Sequence, residues 1–371
     1  MGWQNEFPLD ASIAYLNHAA IAPWPKRTGD AVRAFADEVV LQGSLNYGKW
    51  LEAESELREQ LRRLINARSA DEIALLKSTS EGLSVVAHGL TWLPGDNVVI
   101  PSLEFPSNRI VWESLAERGV EVRIARIDSV DSPEAVIIDQ IDARTKLLSV
   151  SSVQYASGLR LDLHALGRIC EEREVLFCID AIQSLGALPF DVRDARADFV
   201  IADGHKWMMG PEGVALFYCR KELARRLTLH QYGWHMVDHA GDFDRKEWEP
   251  AHTARRFECG SPNMLGIHAL RASLSLIHEV GLDLIQANIF KNICYLAENV
   301  KKIPDYQILS PAQDDRQAGI LTFAPMRESV ETVFRRLQRA GVVCAQRGGG
   351  IRFSPHFYTP RRALDRALGE L

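Results

Sequence analysis

Apolar residues fall in seven short runs from Glu72 to Tyr218: EIALLKST, NVVIP, EVRIARI, KLLSVSSV, VLFCID, FVIAD and GVALFY. Runs such as LLSVSSV and VLFCI are nearly continuous rather than alternating, the pattern of strands covered on both faces. Amphipathic stretches, among them SNRIVWESLAERG and DLHALGRICEERE, lie between many of them. Upstream, ELREQLRRLI places Leu57, Leu61, Leu64 and Ile65 at helical spacing, and helix is predicted from Arg27 to about Asn66 with a break near Gly43 to Gly48. Strands alternating with helices predict an α/β fold with a mostly parallel seven-stranded sheet between helix layers.

After about Pro262 the pattern changes. A long helical stretch, Leu265 to Lys302, divides around Gly281 and is followed by the strand GILTFAP, a helix around Ser329 to Ala340, and VVCAQRGGGIRFSP. Thr359-Pro360 predicts a last helix with threonine as its N-cap and proline at the first helical position. The chain thus divides into an irregular N-terminal segment (1–25), punctuated by Pro8, Pro23 and Pro25, a large domain (26–260) and a smaller α+β domain (261–371). The N-terminal segment is expected to pack near the active site and the small domain.

A length of 371 residues with 46% hydrophobic content suffices for two domains. A net charge of −6 without a dense Lys/Arg run gives no support for nucleic-acid or membrane-surface binding. No signal-peptide pattern or membrane-length apolar run is seen. The six cysteines are scattered without a C-x-x-C pair and read as reduced thiols of a cytoplasmic protein.

Ligands of open α/β sheets bind at the carboxyl ends of the strands. Four such ends carry unusual polar residues. EIALLKSTSEGLS turns from strand to helix at Thr79-Ser80, where free amides and hydroxyls make an anion cup; an ordinary helix cap has the same signature. VLFCIDAIQS ends a buried strand with Asp180 and brings Gln183 three residues later. SVQYASG places Gln154 at a third end. FVIADGHKWMMGPEG supplies His205 and Lys206, one lysine ahead of a bulky apolar cluster. A buried ammonium is costly unless it is paired or loses its charge. An anion cup, a carboxylate for a basic ring nitrogen, amides for a phenolic oxygen and a lysine for an aldehyde together describe a pyridoxal 5′-phosphate (PLP) site.

The sequence resembles fold-type I PLP enzymes of the class V aminotransferase family, a group that includes cysteine desulfurases, kynureninases and isopenicillin N epimerase-like proteins. The resemblance runs from YLNHAAIAP to IRFSPHFY, and its most specific pieces are DAIQSLGALPFDV, DGHKWMMGPEGVALFY and RFECGSPN. It implies Lys206 as the lysine that bonds the cofactor aldehyde and, once freed, as the base for the Cα proton, with Asp180 as the pyridine-nitrogen partner. It implies Gln183 at the ring oxygen, His205, Thr79 and Ser80 at the phosphate, and Phe105 of LEFPSN stacked on the ring. Gln154 is expected to bond the ring oxygen or the substrate. Arg352 is implied as the clamp for the substrate carboxylate, with Asn17 and His18 near the substrate. The resemblance also implies a homodimer with shared active sites, in which Ser261 reaches the phosphate of the neighbouring subunit's cofactor.

Two departures stand out. The family carries serine or threonine three residues before the lysine, where this chain has Asp203, which must point away from a phosphate, bridge through His205 or share a proton. Cysteine desulfurases carry a nucleophilic cysteine shortly before the arginine, but only Gly348, Gly349, Gly350 and Ile351 separate Arg347 from Arg352, and Cys344 lies in a strand-like run. The expected activity is therefore an aminotransferase acting on the α-amino group of a small amino acid. A C–S or β-lyase of the desulfurase type, an epimerase, and a non-catalytic scaffold are the alternatives. No metal site is expected: His235 and His239 are four apart, but Gly233 and Gly241 place them in a loop.

Overall fold

The computed structural model describes residues 2–128 and 130–371. A 3-10 turn (Gly2–Glu6) and the two-residue strand β1 (Ala14–Tyr15) precede helices α1 (Lys26–Gln42) and α2 (Tyr47–Leu64). The break between these helices begins at Gly43, whose φ of 59° ends α1. Strand β2 (Ile73–Leu76) leads into α3 (Thr79–Gly89), β3 (Asn97–Pro101) into α4 (Ser107–Glu113), and β4 (Glu121–Ala125) into α5 (Pro133–Asp139). Then come β5 (Thr145–Ser151), α6 (Leu163–Glu172), β6 (Leu176–Asp180), β7 (Phe199–Asp203), β8 (Ala215–Cys219) and the single turn α7 (Lys221–Ala224).

Strands β2 to β8 form one sheet in the order β2-β8-β7-β6-β5-β3-β4. Only β8 runs against its neighbours, pairing antiparallel with β2 and β7; the others are mutually parallel. The continuous apolar runs are explained by burial on both faces. Leu148, Val150, Phe177, Ile179, Val200 and Ala202 belong to one core layer. Leu147, Cys178, Phe199, Ile201 and Phe217 point into the other, as the two-residue period of a strand requires.

The C-terminal part contains α8 (Met264–Val280), α9 (Leu282–Val300), β9 (Tyr306–Ile308), β10 (Leu321–Pro325), α10 (Val330–Arg339), β11 (Val342–Val343), β12 (Ala345–Arg347), β13 (Gly350–Phe353) and α11 (Arg361–Leu368). Helices α8 and α9 divide at Gly281 (φ 83°). Four strands make an antiparallel sheet, β12-β13-β10-β9, and β1 pairs in parallel with β11. The N-terminal segment is thereby tied to the C-terminal part. The last helix starts differently from the sequence expectation. Pro360 is its N-cap, and Thr359 caps nothing, because its Oγ1 accepts the amide of His356 at 2.9 Å. Among the described residues no helix is long and apolar enough to cross a membrane.

Candidate active site

The chain turns sharply after β7. Gly204 and Val214 close the turn (N–H to O, 2.9 Å), Gly210 donates to Gly204 (2.8 Å), and Met209 donates to Lys206 (2.9 Å). Trp207, Met208 and Met209 are fully buried. These side chains anchor the turn, so the Lys206 amine is held over the sheet end, 5.6 Å from the centre of the Phe105 ring. The bulky cluster after the lysine therefore packs, and Trp207 does more: its Nε1 donates to Gln183 Oε1 at 2.8 Å. Gln183 Nε2 donates to the Ala19 carbonyl at 3.0 Å, which leaves the second amide hydrogen of that nitrogen for a ligand.

Helix α3 follows β2, two strands from β7 in the sheet. Ser78 is its N-cap, accepting from Glu81 at 3.2 Å, so Thr79 and Ser80 open the first turn with amides that have no acceptor within the helix. Gly82 seats that turn on β7, since a Cβ there would lie 2.8 Å from Ile201. Thr79 Oγ1 accepts the Asp203 amide at 3.2 Å, keeping its own hydrogen to donate, and Ser80 bonds Ser107 at 2.9 Å.

Thr79, Ser80, Phe105, Asp180, Gln183, His205, Lys206 and Arg352 line one cleft of ≈ 350 Å³, brought together from five separate segments. Asp180, at the end of β6, is buried and accepts the Ile182 amide at 3.0 Å. Burial pushes its carboxyl up to about 7, with the nearby charge of Glu104 adding and Lys206 opposing. Burial lowers the Lys206 amine to about 8 against the pull of Asp180, with Arg352 and Arg347 pushing the same way as burial. Arg352, delivered by β13, is 2% exposed; one guanidinium arm donates to the Tyr155 carbonyl at 2.7 Å and its Nε has no partner. Asp203 Oδ1 lies 3.0 Å from His205 Nδ1, at ion-pair distance but out of line for a hydrogen bond. Of the three arrangements open to Asp203, the structure shows the one that faces His205.

Four predicted residues do not line the cleft. Gln154 is buried with its amide nitrogen on Glu104 at 3.0 Å. His18 is fully buried and spends both ring nitrogens, one on the Ser354 carbonyl (2.8 Å) and one on the Tyr358 hydroxyl (2.6 Å), so neither is left for a substrate. Asn17 pairs with Ser354 in an isolated bridge, and the neighbouring Ala19, Ala20 and Ile21 supply the wall instead. Ser261 lines a different cavity of ≈ 230 Å³ and accepts weakly from Trp234 Nε1 at 3.4 Å.

Sequence reasoning missed Glu104. It is buried, and its carboxylate takes four donors: the Ser151 amide (2.7 Å) and hydroxyl, Asn108 Nδ2 (2.8 Å) and Gln154 Nε2. An acid three residues after the strand NVVIP was the available signal. His235 also proved different from a plain loop histidine. It is buried beside Glu54 and Glu258, both of which are held by Arg58, with Glu258 gripped at 2.5 and 2.7 Å. That network fastens the loop before α8 to α2; its carboxylates are already taken by the guanidinium.

The chain matches the model of the family "Aminotransferase class-V" over residues 14–365. It is 31% identical to a probable cysteine desulfurase of Methanothermobacter thermautotrophicus, covering 99% of this chain and 96% of that one. It is 32% identical to the uncharacterized aminotransferase YcbU of Bacillus subtilis, covering 92% and 89%. A mutant C-DES with glycine covalently linked to its PLP cofactor shares the fold, with a TM-score of 0.91 at 20% identity over 99% of this chain and 98% of that one. The protein is thus a member of the aminotransferase class-V family and, within it, resembles the cysteine desulfurases.

Proposed function

We propose that this protein uses PLP to cleave the carbon–sulfur bond of a small sulfur-containing amino acid. The reading is carried by one observation: a single cleft holds Lys206, Asp180 and Arg352 beside the Thr79-Ser80 helix start. It is further supported by the relatives, among which cysteine desulfurases predominate. The residues present fit the cofactor. Arg352 Nε is a buried polar atom without a hydrogen-bond partner at the cleft, and such an atom is costly unless a ligand meets it. When bound, PLP supplies a sink for the electron pair left on Cα.

The chain's own groups do the rest. Thr79 would hold the phosphate with its hydroxyl, and Thr79 and Ser80 with their helix-start amides, while His205, backed by Asp203, would add a donor. Asp180 would keep a proton on the ring nitrogen. The free Gln183 N–H would bond the ring oxygen. Arg352 grips the substrate carboxylate and turns the Cα–H bond toward Lys206, which takes the proton. With sulfur leaving as a thiolate and one water consumed, the products would be a thiol, a 2-oxo acid and ammonia.

No persulfide on the enzyme is part of this proposal. Cys344 is buried with its thiol pushed up to about 12 by burial, and it does not line the cleft. The hairpin of β12 and β13 resists another: a Cβ at Gly350 would collide with the Phe323 carbonyl, one at Gly348 would lie 3.1 Å from Ala156 Cβ, and Gly349, though it has space, has a φ of 78°. Transamination, the expectation from the residues, stays as the second reading, favoured by the YcbU relative and by the missing thiol. Cysteine and S-substituted cysteines, added to the holoenzyme without a keto acid, separate them. Steady pyruvate and ammonia, with sulfide or a thiol, and the yellow band intact is expected. A band that bleaches and returns on adding a keto acid would establish transamination instead, and Cα-deuterium exchange with inversion alone would establish epimerisation. A spectrum unmoved by every amino acid would leave only a scaffold.

Cofactor loading should carry the signature of Lys206. The amine must be neutral to attack the aldehyde, and it is protonated below about pH 8. The rate of PLP uptake by apoprotein should rise about tenfold per pH unit below that value and level off above it. A rise that continues to pH 10 would show an ordinary lysine.

We also propose a cytoplasmic homodimer. Ser261 stands outside its own cleft, and Val40, Leu41 and Leu45 at the α1–α2 turn are 78–82% exposed, an apolar strip for a second copy to cover. Sedimentation showing a monomer that holds PLP and turns over would contradict the shared site.

A further inference from the structure

Two guanidinium groups face the cleft, and the proposed chemistry uses one. Arg352 is the buried clamp. Arg347 ends β12, opposite Gly350 across the hairpin, and lines the same cleft. The protein gives both of them only carbonyl oxygens: Tyr155 for Arg352 and Gln346 for Arg347, each at 2.7 Å. Among the described residues neither forms an ion pair. The two repel each other, and this repulsion joins burial in holding Arg352 down to about 10. The other charged groups at the cleft are accounted for. Asp180 and Lys206 serve the cofactor, and Asp203 faces His205. Glu212, on the exposed loop after Gly210, pairs with neither arginine.

The position of Arg347 is built in. Gly348 and Gly349 have φ of 57° and 78°, a backbone that only glycine adopts readily. Gly348 rests on Ala156, and Gly350 rests on the β10 backbone at Phe323. The hairpin is thereby held against Ala156 and Phe323, with Arg347, itself exposed, at its base on the cleft edge.

We infer that the substrate carries a second acidic group on its side chain and that Arg347 binds it. This rests on the reading of Arg352 as the clamp for the α-carboxylate. With that carboxylate on Arg352 and the phosphate at the Thr79-Ser80 end, Arg347 is the cation left without a counter-charge. A monoanionic amino acid leaves it so; a side-chain carboxylate or other oxyanion reaching beyond Cβ meets it. A planar fork of donors suits such an oxyanion.

The test uses the holoenzyme and two ligands of matched size, S-carboxymethylcysteine and its neutral isostere S-carbamoylmethylcysteine, with dissociation constants read from the change in the cofactor's visible spectrum. The acid is expected to bind more tightly. Arg347→Met should weaken the acid by about 10-fold or more, the loss of one hydrogen bond between charged partners. It should leave the neutral ligand within about twofold, and Arg347→Lys should restore part of the difference. Equal binding of the two ligands by the wild type would overturn the inference, as would absence of binding by the acid or equal weakening of both in Arg347→Met. Product release is read separately. If neither compound yields a 2-oxo acid while the acid still binds through Arg347, the carbon–sulfur reading fails and the second-anion reading stands.

Discussion

Replacing Lys206 with alanine should abolish turnover and the attachment of the cofactor, while the fold survives. The side chain reaches into the cleft from a turn anchored by Trp207, Met208 and Met209, and the anchors do not depend on the amine. Removing a buried cation that burial already holds near a pKa of about 8 costs the apoprotein little. Removing the proposed base for the Cα proton should cost about 10²–10⁴ in rate from the proton transfer alone. Borohydride treatment of the wild-type holoenzyme, followed by peptide mapping, should find the cofactor on Lys206. Its discovery on another lysine would sink the assignment.

Changing Asp180 to asparagine should trade activity for stability. The carboxylate sits at the end of β6 with only the Ile182 amide and the nearby Lys206 to favour its charge. In the proposed role it keeps the cofactor's ring nitrogen protonated, so turnover should fall by about 10²–10³, the loss of one preorganised electrostatic element. The apoprotein should respond in the opposite direction. Burial raises the folded pKa from 3.8 to about 7, so between those values the folded state binds the proton that the unfolded state has lost. Stability therefore declines as pH rises through this window, and the full penalty is present above about pH 7. Within the window each pH unit removes about 1.4 kcal/mol. Asp180→Asn apoprotein should melt higher than wild type at pH 8, with the gap closing towards pH 4. Equal melting at pH 8, or wild-type turnover in the variant, would remove Asp180 from this role.

Much of this protein can be read along the chain. The continuous runs of β5, β6 and β7 encode strands buried on both faces, because each side chain there meets a helix layer whichever way it points. The residues at the ends of those strands stood out for the same reason, since an acid or a lysine that closes an apolar run must be explained by something other than packing. Gly281 marked the division of two helices because its backbone is one that other residues resist. Thr79, Ser80, Asp180, Gln183, His205 and Lys206 could be picked out in this way, each within a few residues of its strand.

What the chain could not show is which partner each polar side chain finds. Gln154 was expected as a ligand from its strand end and His18 from the resemblance, yet Gln154 Nε2 goes to Glu104 and both His18 ring nitrogens go to Ser354 and Tyr358, brought from distant segments. Thr359 resembled a cap but serves His356. Arg352 reaches the cleft only because β13 pairs with β10 and β12 beside the Tyr155 carbonyl, and Arg347 follows it through the same hairpin. The displaced pKa values of Asp180 and Lys206 arise from burial and from charges on other strands. Hydrophobic periodicity is a local property, so the sequence alone determined the elements and the polar residues that stand at the strand ends. Hydrogen bonding and electrostatics act across space between segments far apart in the chain, so only the tertiary structure decided which of those groups share a cleft and in what state of charge.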